Sequence, residues 1–487
     1  MSVAASLLDG SAAGIAAAVR TREVTVSALV DASLARVAAT GPALGTFAAV
    51  CADRARQRAE EVDAELLDRK ATAALLPLVG VPFAVSNAFD VAGLGTQAGA
   101  AMERERAPAH RDARVVARLE EAGAVLIGAT ALDALGYGST GESPCSGAVR
   151  NPHDLARMPG GASGGSAAAI AAAQVPLALG LDATGGMRVP ASLSGTFALK
   201  PTYGRIPRSG TYPHAPSLDH VAACARHAAD LALAYDAIQG HDARDAACIS
   251  RPVEPTRPGV SGRVETLRIG VLADALDLPL RAEARTALSR AAQALGARRQ
   301  AAWPHLARAN AAANLVVLAE SAALHLESLR HRPRDLPRRS RDRLFAGALL
   351  PAAWVEKAQR VRRALALGAA ELLREFDLLL APATPCAAPR LGRMTLELGG
   401  STLPIEAALD SLAQPFSFIG LPVAVVPVWD CHPTLPIGVQ VIGAPWREDL
   451  VLRAAQHLQA SGIARAPVAA VSEAGLRAAL AGATSGS

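Results

Sequence analysis

The stretch that decides the fold is residues 158–205, MPGGASGGSAAAIAAAQVPLALGLDATGGMRVPASLSGTFALKPTYGR. A glycine-rich turn opens it, an alanine-rich helix follows, and a second glycine turn ends at Arg188 and Pro190. Glycine supplies backbone conformations that other residues avoid, so both turns predict sharp loops. Loops of this kind, set between helices and strands, are typical of an α/β protein.

The same alternation continues along the rest of the chain, where we predict strands at 80–85, 124–128, 267–272, 378–383, 421–428 and 437–442. Predicted helices fall at 113–122, 281–295 and 448–461. The pattern indicates an α/β fold with helices on both sides of a sheet. We expect one domain over 1–487, with a helical region at about 1–75, a core at about 76–225 and a C-terminal part at about 265–487.

The composition permits a sizeable core, because 51% of the 487 residues are hydrophobic and 19% are charged. Positive charge concentrates at 330–343, RHRPRDLPRRSRDR, which lacks aromatic side chains for stacking on bases. We therefore expect no nucleic-acid partner. The longest apolar run, 167–181, is interrupted by Gln174 and Pro176, and we expect no membrane partner.

Six cysteines occur without a CxxC pair, and eleven histidines occur without an HExxH pattern. These patterns predict reduced thiols and neither a metal nor another cofactor. The N-terminus lacks a basic start followed by an apolar segment, which predicts no signal peptide. We expect a cytoplasmic protein.

Several segments outside the opening stretch carry a family resemblance: GVPFAV at 80–85, NAFDVAG at 87–93, RNPHD at 150–154, APATPC at 381–386, FSFIGLPVAVVPV at 416–428 and LPIGVQVIGAPWRED at 435–449. Together with 158–205 they resemble the amidase signature family, in order and over essentially the whole chain. The resemblance is strongest to the biuret- and carboxybiuret-type hydrolases, beside the amidase-type component of tRNA-dependent amidotransferases. It implies a mixed sheet wrapped by helices and hydrolysis of an amide through an acyl-enzyme.

The resemblance also implies three catalytic positions for a Ser-Ser-Lys triad. The lysine position, six residues after Gly80, is Ser86 here. The position of the serine held by a cis peptide, directly after Gly160 and Gly161, is Ala162. The nucleophile position, four residues after Asp182 and two before Arg188, is Gly186. All three triad positions are therefore predicted to be substituted.

Neighbouring residues offer no evident replacement for the triad. Ser163 and Ser166 match additional family serines, so we expect them to hydrogen-bond the loop and the helix start. Thr184 carries a hydroxyl, but no lysine lies near it in sequence and it has no obvious base. The lysines are Lys70, Lys200 and Lys357, of which Lys200 belongs to the family segment KPTYGR and the others to polar helices.

Two further departures from the family pattern surround these positions. Residues 131–134 read Ala-Leu-Asp-Ala, where the family usually has Asn-Met-Asp-Glu, and Met187 adds an apolar side chain beside Gly186. By resemblance, the backbone N–H groups form an oxyanion cradle at Ala183, Thr184, Gly185 and Gly186. Gly160, Gly161, Ser163, Asp182 and Arg188 support the loop. Such a cradle can hold a small carboxylate or amide without a nucleophile.

The sequence leaves three readings open. The leading one is an amidase-signature protein that has lost hydrolysis and acts as a binding, scaffold or regulatory partner. Its partner would be a small helical subunit or an active amidase paralogue, and we also expect self-association into a homo-oligomer. The second is a working amidohydrolase, cleaving an amide or urea-type C–N bond, whose site is rebuilt from residues such as Thr184 or Ser163. The third is a non-functional relic. Ligand specificity is expected in loops 330–355 and 212–220.

Overall fold

The computed structural model describes residues 2–67, 75–143, 145, 147–304, 306–471, 475 and 479. The α-helices of these residues are α1 (Val3–Leu8), α2 (Ala12–Arg20), α3 (Val26–Leu44), α4 (Ala52–Leu67), α5 (Arg114–Glu121), α6 (Gly164–Ala171), α7 (Arg188–Ser194), α8 (Ala228–Ile238), α9 (Ala273–Leu276), α10 (Ala282–Ala294), α11 (Leu306–Leu324), α12 (Leu326–His331), α13 (Arg338–Ala348), α14 (Ala352–Glu375), α15 (Ile405–Asp410), α16 (Gln414–Phe418) and α17 (Glu448–Ala460). Lys70 lies outside the described residues.

The strands are β1 (Phe47–Val50), β2 (Pro82–Ser86), β3 (Val125–Thr130), β4 (Glu142–Ser143), β5 (Gly147–Ala148), β6 (Leu177–Leu181), β7 (Phe197–Lys200), β8 (Val221–Ala225), β9 (Ile269–Leu272), β10 (Arg299–Ala301), β11 (Leu378–Pro382), β12 (Thr395–Leu398), β13 (Ser401–Pro404), β14 (Val423–Val428) and β15 (Ile437–Gly443). Eleven of them form one sheet in the order β1-β3-β2-β6-β8-β7-β14-β15-β11-β9-β10. The pairs β4–β5 and β12–β13 are separate hairpins.

The large sheet is mixed, as predicted. Strand β2 is parallel to both β3 and β6, whereas β14 and β15 pair antiparallel to each other. Both β14 and β15 are buried along their whole length, which agrees with their uninterrupted apolar sequence. Helices such as α8, α10 and α17 pack against the strands and bury them.

The predicted elements are confirmed with small changes at their ends. The strand expected at 80–85 is β2 (Pro82–Ser86), and the helix expected at 281–295 is α10 (Ala282–Ala294). Strands 421–428 and 437–442 are indeed neighbours, as β14 and β15. The boundaries shift by a few residues because terminal residues lack one of their two backbone partners.

The topology brings the predicted site to one edge of the sheet. Because β2 and β6 are parallel, with Val85 opposite Leu179, their carboxyl ends lie side by side. Ser86 therefore ends β2 next to the position where β6 enters the loop after Leu181. Helix α6 lies beneath that loop, and a Cβ at Gly165 would come within 2.7 Å of the Thr46 carbonyl oxygen, so only glycine fits there.

The described part of the chain lacks two kinds of feature. Within it, no helix combines the length and the apolar character that crossing a bilayer requires. Within the same residues, no three histidine, cysteine or acidic side chains converge as a metal site would require.

Candidate functional site

Two glycine loops meet to form the centre of the site. The loop before α6 contains the Gly161–Ala162 peptide bond, which is cis. The Ser163 backbone N–H donates to the Gly186 carbonyl oxygen at 2.8 Å and joins this loop to the one between β6 and α7. Ala162 and Gly186 consequently line the same cavity.

A buried ion pair fixes the second loop. The Arg188 guanidinium donates to both oxygens of Asp182, Nε to Oδ2 at 2.9 Å and Nη2 to Oδ1 at 2.8 Å, and both side chains are completely buried. Burial alone would raise the pKa of the Asp182 carboxyl, but the Arg188 charge and hydrogen bonds hold that pKa well below its usual range. Asp182 also accepts from the backbone N–H of Arg188 at 3.2 Å, which closes the turn around Gly186.

Arg188 extends the same network to distant parts of the chain. It donates to the Ala413 carbonyl oxygen at 2.7 Å, to Gln440 Oε1 at 3.0 Å and to Ser417 Oγ at 2.5 Å. The pair is therefore surrounded by partners for its remaining donors, the condition under which a buried ion pair is tolerated.

Gly186 occupies the predicted nucleophile position without needing glycine's special conformation. Its φ does not lie in the left-handed region, so the backbone itself admits a side chain. A Cβ there would lie 3.6 Å from the Ala162 backbone nitrogen but only 2.7 Å from the Leu181 carbonyl oxygen. A serine at 186 would thus require a small shift of the loop.

Ser86, at the predicted lysine position, is completely buried at the end of β2. Its hydroxyl has no hydrogen-bond partner among the described residues. Ser86 is absent from the cavity wall, which Ala88 lines two residues later. The structure thus brings Ala162 and Gly186 together and leaves Ser86 behind them.

Four successive backbone N–H groups remain available on the second loop. In the part of the chain that the structure describes, no acceptor takes a hydrogen bond from the N–H of Ala183, Thr184, Gly185 or Gly186. The bonding resumes at Met187, whose N–H reaches Asp182 Oδ2 at 3.4 Å. Consecutive unpaired N–H groups beside a cavity are suited to binding an anion or a carbonyl oxygen.

The expectation that Thr184 has no obvious base is wrong, because a distant aspartate reaches it. The Thr184 hydroxyl donates to Asp410 Oδ2 at 3.2 Å, and the Ser139 hydroxyl donates to Asp410 Oδ1 at 2.6 Å. Burial, with a smaller effect of the nearby Glu406 carboxylate, raises the pKa of Asp410 to about 7 against the hydrogen bond from Ser139. Sequence position gives no hint of this contact, which spans 226 residues.

The prediction that Ser163 and Ser166 hydrogen-bond the helix start is wrong: Ser163 occupies the N-cap position of α6 without a capping bond from its side chain, and both hydroxyls bond neighbouring strands. Ser163 Oγ lies 3.2 Å from the Leu181 backbone N–H and 3.3 Å from the Leu181 carbonyl oxygen. Ser166 Oγ contacts Thr130 at 2.7 Å. Ser163 is thus held in a structural role by β6.

Lys200 also lies away from the cavity wall. Its ammonium donates to the Leu421 carbonyl oxygen at 2.5 Å and to the Pro201 carbonyl oxygen at 3.1 Å. Burial, together with the Arg188 charge, brings the pKa of Lys200 well below its usual value. With both carbonyls engaged, Lys200 serves the packing of β7 against the loop before β14.

Residues 212–220, predicted as a specificity loop, do reach the cavity through Tyr212, His214 and Asp219. Burial lowers the pKa of His214 to about 3, so its ring is neutral, and Nδ1 donates to the Leu135 carbonyl oxygen at 3.2 Å. Asp219 accepts the backbone N–H groups of His214 and Ala215, both at 3.0 Å. These side chains shape the wall and are too strongly engaged or too weakly basic for proton transfer at neutral pH.

Segment 330–355 lies further from the centre of the site than residues 212–220. Arg343 pairs with Glu406 at 2.9 Å and its guanidinium lies 5.4 Å from the centre of the Tyr137 ring. Arg338 and Arg339 line a separate surface depression together with Glu406. None of its residues lines the central cavity, and its expected role in ligand specificity stays a prediction.

The central cavity is small and mostly apolar. It offers about 20 Å³ to the centres of water-sized molecules, which is room for one or two waters. Its hydroxyl groups belong to Ser163, Thr184 and Tyr212, each already hydrogen-bonded, and neither of the described lysines, Lys200 and Lys357, lines it. The arrangement can present backbone donors to a small acceptor, but it offers no amine to activate a nucleophile.

The sequence is similar to that of known proteins over most of its length. The sequence profile of the Amidase family matches residues 28–452. Over 435 residues the chain is 45% identical to the AtzE subunit of 1-carboxybiuret hydrolase from Pseudomonas sp. (strain ADP), covering 89% of this chain and 94% of that protein. It is 35% identical to the A subunit of glutamyl-tRNA(Gln) amidotransferase from Anaeromyxobacter sp. (strain K), covering 93% and 95%.

Solved structures of other proteins show the same fold. One, described as an unexpected vestigial protein complex that reveals the evolutionary origins of an s-triazine catabolic enzyme, superimposes with a TM-score of 0.91 at 43% identity, covering 94% of this chain and 99% of that one. A 6-aminohexanoate cyclic dimer hydrolase complexed with substrate gives a TM-score of 0.81 at 28% identity, with coverage of 93% and 97%. The fold is thus shared with hydrolases of differing substrates.

Proposed function

Because this chain belongs to the amidase family, we propose that it is a member that has lost amide hydrolysis and acts as a binding, scaffold or regulatory partner. The observation that carries the proposal is the composition of the predicted triad positions: Ser86, Ala162 and Gly186. Gly186 has no side chain, Ala162 has only a methyl group, and the hydroxyl of Ser86 cannot act as a base near neutral pH.

Kinetic magnitudes support this proposal. In a serine hydrolase, removal of the triad lowers kcat on the order of a millionfold, and the residual rate is about 10³ to 10⁴ above water. That residual rate comes from binding of the substrate and from the N–H donors that stabilise the oxyanion. A chain that kept only the N–H groups of the loop after Asp182 would therefore turn over too slowly to sustain a metabolic flux.

The open N–H groups support a binding role for the same site. We propose that the N–H groups of Ala183, Thr184, Gly185 and Gly186 hold a carboxylate or an amide oxygen, with Ser163, Asp182 and Arg188 fixing the loop. A small ligand fits best because the cavity admits only one or two water molecules before any rearrangement. We propose that this binding role needs neither a metal nor another cofactor.

Partnership is the other half of the proposal. Two relatives are themselves named as subunits, and one solved structure is described as a protein complex. A chain without catalysis can still contribute to an assembly by stabilising or regulating the other chains in it. We therefore propose that it pairs with a small helical subunit or an active amidase paralogue, or forms a homo-oligomer.

One observation favours a second candidate, an amidohydrolase with a rebuilt site. The Thr184 hydroxyl donates to Asp410, whose pKa near 7 would let the carboxylate accept a proton at neutral pH. In that mechanism Thr184 Oγ1 would attack the carbonyl and Asp410 would take its proton. The first candidate remains preferred because Thr184 lies two residues before the position that faces Ala162.

The two candidates separate in one assay. We expect the purified chain to hydrolyse neither simple amides nor carboxybiuret above the buffer rate, and to resist labelling by a fluorophosphonate probe, because the cavity holds no hydroxyl with an amine beside it. An intact amidase serves as the positive control. Turnover that is present in the unaltered chain but absent in Thr184→Val, Asp410→Asn or Ser163→Ala would establish the rebuilt site instead.

Ligand binding should depend on pH through Asp410. Because burial raises its pKa to about 7, Asp410 is neutral at pH 6 and an anion at pH 8, close to the N–H groups. We expect acetate to bind about tenfold more weakly at pH 8, a factor that corresponds to about 1.4 kcal/mol. Isothermal titration of the unaltered chain, Asp410→Asn and the exposed control Asp335→Asn measures this effect.

Only Asp410→Asn should remove the pH dependence of acetate binding. If Asp335→Asn flattened the profile equally, or if the affinity did not change with pH in the unaltered chain, acetate would not bind beside Asp410. Gly185→Ala gives an independent check on the location, because its φ of 136° disfavours any side chain and a Cβ would lie 2.9 Å from the Ala413 side chain.

A further inference from the structure

Three large apolar side chains are exposed where α13 turns into α14. Phe345 is 41% exposed, Leu349 80% and Trp354 56%. Helix α13 ends at Ala348 and α14 begins at Ala352, so all three lie within ten residues around one short turn. We call these three residues the hairpin patch. Exposed apolar groups clustered in this way commonly mark an interaction surface.

The packing of α13 explains why its part of the patch faces outward. Helix α13 buries Ser340, Leu344 and Gly347, and a Cβ at Gly347 would collide with the backbone of Leu318 in α11. Phe345 and Leu349 lie one turn apart on another side of the helix. The inner face is therefore fixed by close contact with α11, and the helix cannot rotate to bury Phe345.

Helix α14 shows that the patch continues an apolar stripe. Its buried residues are Ala358, Leu365 and Ala369. Trp354 lies one turn before Ala358 on the same stripe, yet more than half of it is exposed. The apolar stripe thus extends beyond the surface that the described residues cover.

Positive charge precedes the patch along the chain, and Arg338 lies two turns before Phe345 on the same side of α13. Residues 330–343 contain seven arginines and two aspartates, and three of these arginines pair with Glu327 or Glu406 outside the segment. Arg332, Arg334 and Arg338 form no ion pair with any residue that the structure describes. An occupant of the patch therefore meets a field that favours acidic side chains.

We propose that the hairpin patch and the neighbouring arginines form the docking surface for an acidic amphipathic helix of a partner protein. The proposal rests on the proposed role as a partner and specifies the chemistry of that partner. Leucines spaced three and four residues apart on such a helix would cover Phe345, Leu349 and Trp354, as apolar helix faces cover grooves in other complexes. Aspartates and glutamates at its margins would face Arg338 and the other free arginines. Tryptophan and arginine are the residues most often found to dominate binding energy at interfaces.

The charge distribution argues against a second copy as the occupant. In a two-fold symmetric contact the same surface meets itself, so the arginine-rich segments of the two copies would face each other. That arrangement brings two clusters of excess positive charge together, and like charges at an interface disfavour association. The homo-oligomer that we also propose must therefore use another surface.

The test uses a defined probe in place of the unidentified partner. A fluorescein-labelled 21-residue helical peptide, with leucine at the apolar heptad positions and glutamate elsewhere, is titrated with the full chain. Fluorescence polarisation should show saturable binding that weakens at least tenfold in Leu349→Glu and in Trp354→Glu. Leu367→Glu is the matched control, because Leu367 is also on α14 and 59% exposed yet outside the patch. Arg338→Glu should reduce the salt dependence of binding.

Several outcomes would overturn the proposal. These include no saturable binding, an equal loss in Leu367→Glu, and equal binding of a scrambled peptide that keeps the charge but not the stripe. Capture by phosphatidylglycerol vesicles that depends on Trp354, without peptide binding, would identify a membrane surface instead. Self-association lost in Leu349→Glu would identify a second copy. Amide hydrolysis is measured on the same variants, so a failed docking surface is distinguishable from an active enzyme.

Discussion

Introducing Ser86→Lys, Ala162→Ser and Gly186→Ser together is expected to raise amide hydrolysis at least about a thousandfold above the unaltered chain. The physical reason is that Ala162 and Gly186 line one cavity in an otherwise intact loop arrangement, and residue 86 ends β2 next to that loop. Removal of a triad costs on the order of a millionfold, and a partly misplaced triad would recover part of that factor. Hydrolysis of carboxybiuret and of simple amides, followed by ammonia release, measures the gain.

The backbone geometry at Gly186 explains why activity should be gained and why the gain should be partial. Gly186 already has a φ that accepts a serine, and its Cβ would point to within 3.6 Å of the Ala162 nitrogen. The same Cβ would lie 2.7 Å from the Leu181 carbonyl oxygen, so the backbone of the loop must shift before a serine fits. Such a shift is enough to lower a rate substantially, which is why we expect partial recovery.

Controls for the rebuilt triad follow from how its members act. Each single substitution and each pair should stay at the background rate, because a nucleophile without its base gains nothing. Fluorophosphonate should label the triple variant and fail to label the same variant with Gly186 restored. If the folded triple variant, verified by its thermal unfolding, gained no activity, the assignment of these positions to the triad would be wrong.

The fold followed closely from sequence because its determinants are local. Alternating apolar strands, helical periodicity and glycine turns predicted β2, α10, β14 and β15 within a few residues of their observed ends. The order of the eleven strands did not follow from those patterns, since β14 lies between β7 and β15 although more than 200 residues separate it from β7. Such pairing depends on contacts between distant segments, which a single sequence does not reveal.

The site was predictable to the extent that it is contiguous in sequence. The family resemblance assigned Asp182, Gly186 and Arg188 to one loop, and the structure joins that loop to Ala162. Asp410 was missed, because its contacts with Thr184 and Ser139 cross 226 and 271 residues. A partly buried aspartate at the end of a short helix carries no sequence pattern that distinguishes it from an exposed one.

Substitution of Arg188 by methionine is expected to lower the free energy of unfolding by about 3–5 kcal/mol at pH 7, the cost of breaking a buried ion pair. The variant leaves Asp182 charged and buried, and it removes the donors that reach Ala413, Gln440 and Ser417. Urea denaturation at neutral pH measures the loss. As a control, Arg268→Met removes an exposed pair with Asp377 and should cost about 0–1 kcal/mol.

The pH dependence of this loss tests its cause. In the unaltered chain the pKa of Asp182 is depressed, so the stability it contributes is present above its unfolded pKa of about 3.9 and is lost as the pH falls below that value. Without Arg188, burial dominates and raises the pKa of Asp182. Protonation of Asp182 at lower pH then removes the unpaired buried charge that destabilises the variant. The difference between the two chains should therefore be largest at neutral pH and should shrink as the pH falls from the raised pKa of Asp182 in the variant toward its depressed pKa in the unaltered chain. Adding Asp182→Asn to Arg188→Met should recover part of the loss at pH 7 and remove this dependence. A loss that stayed constant with pH would instead assign the role of Arg188 to packing, with its charge contributing little.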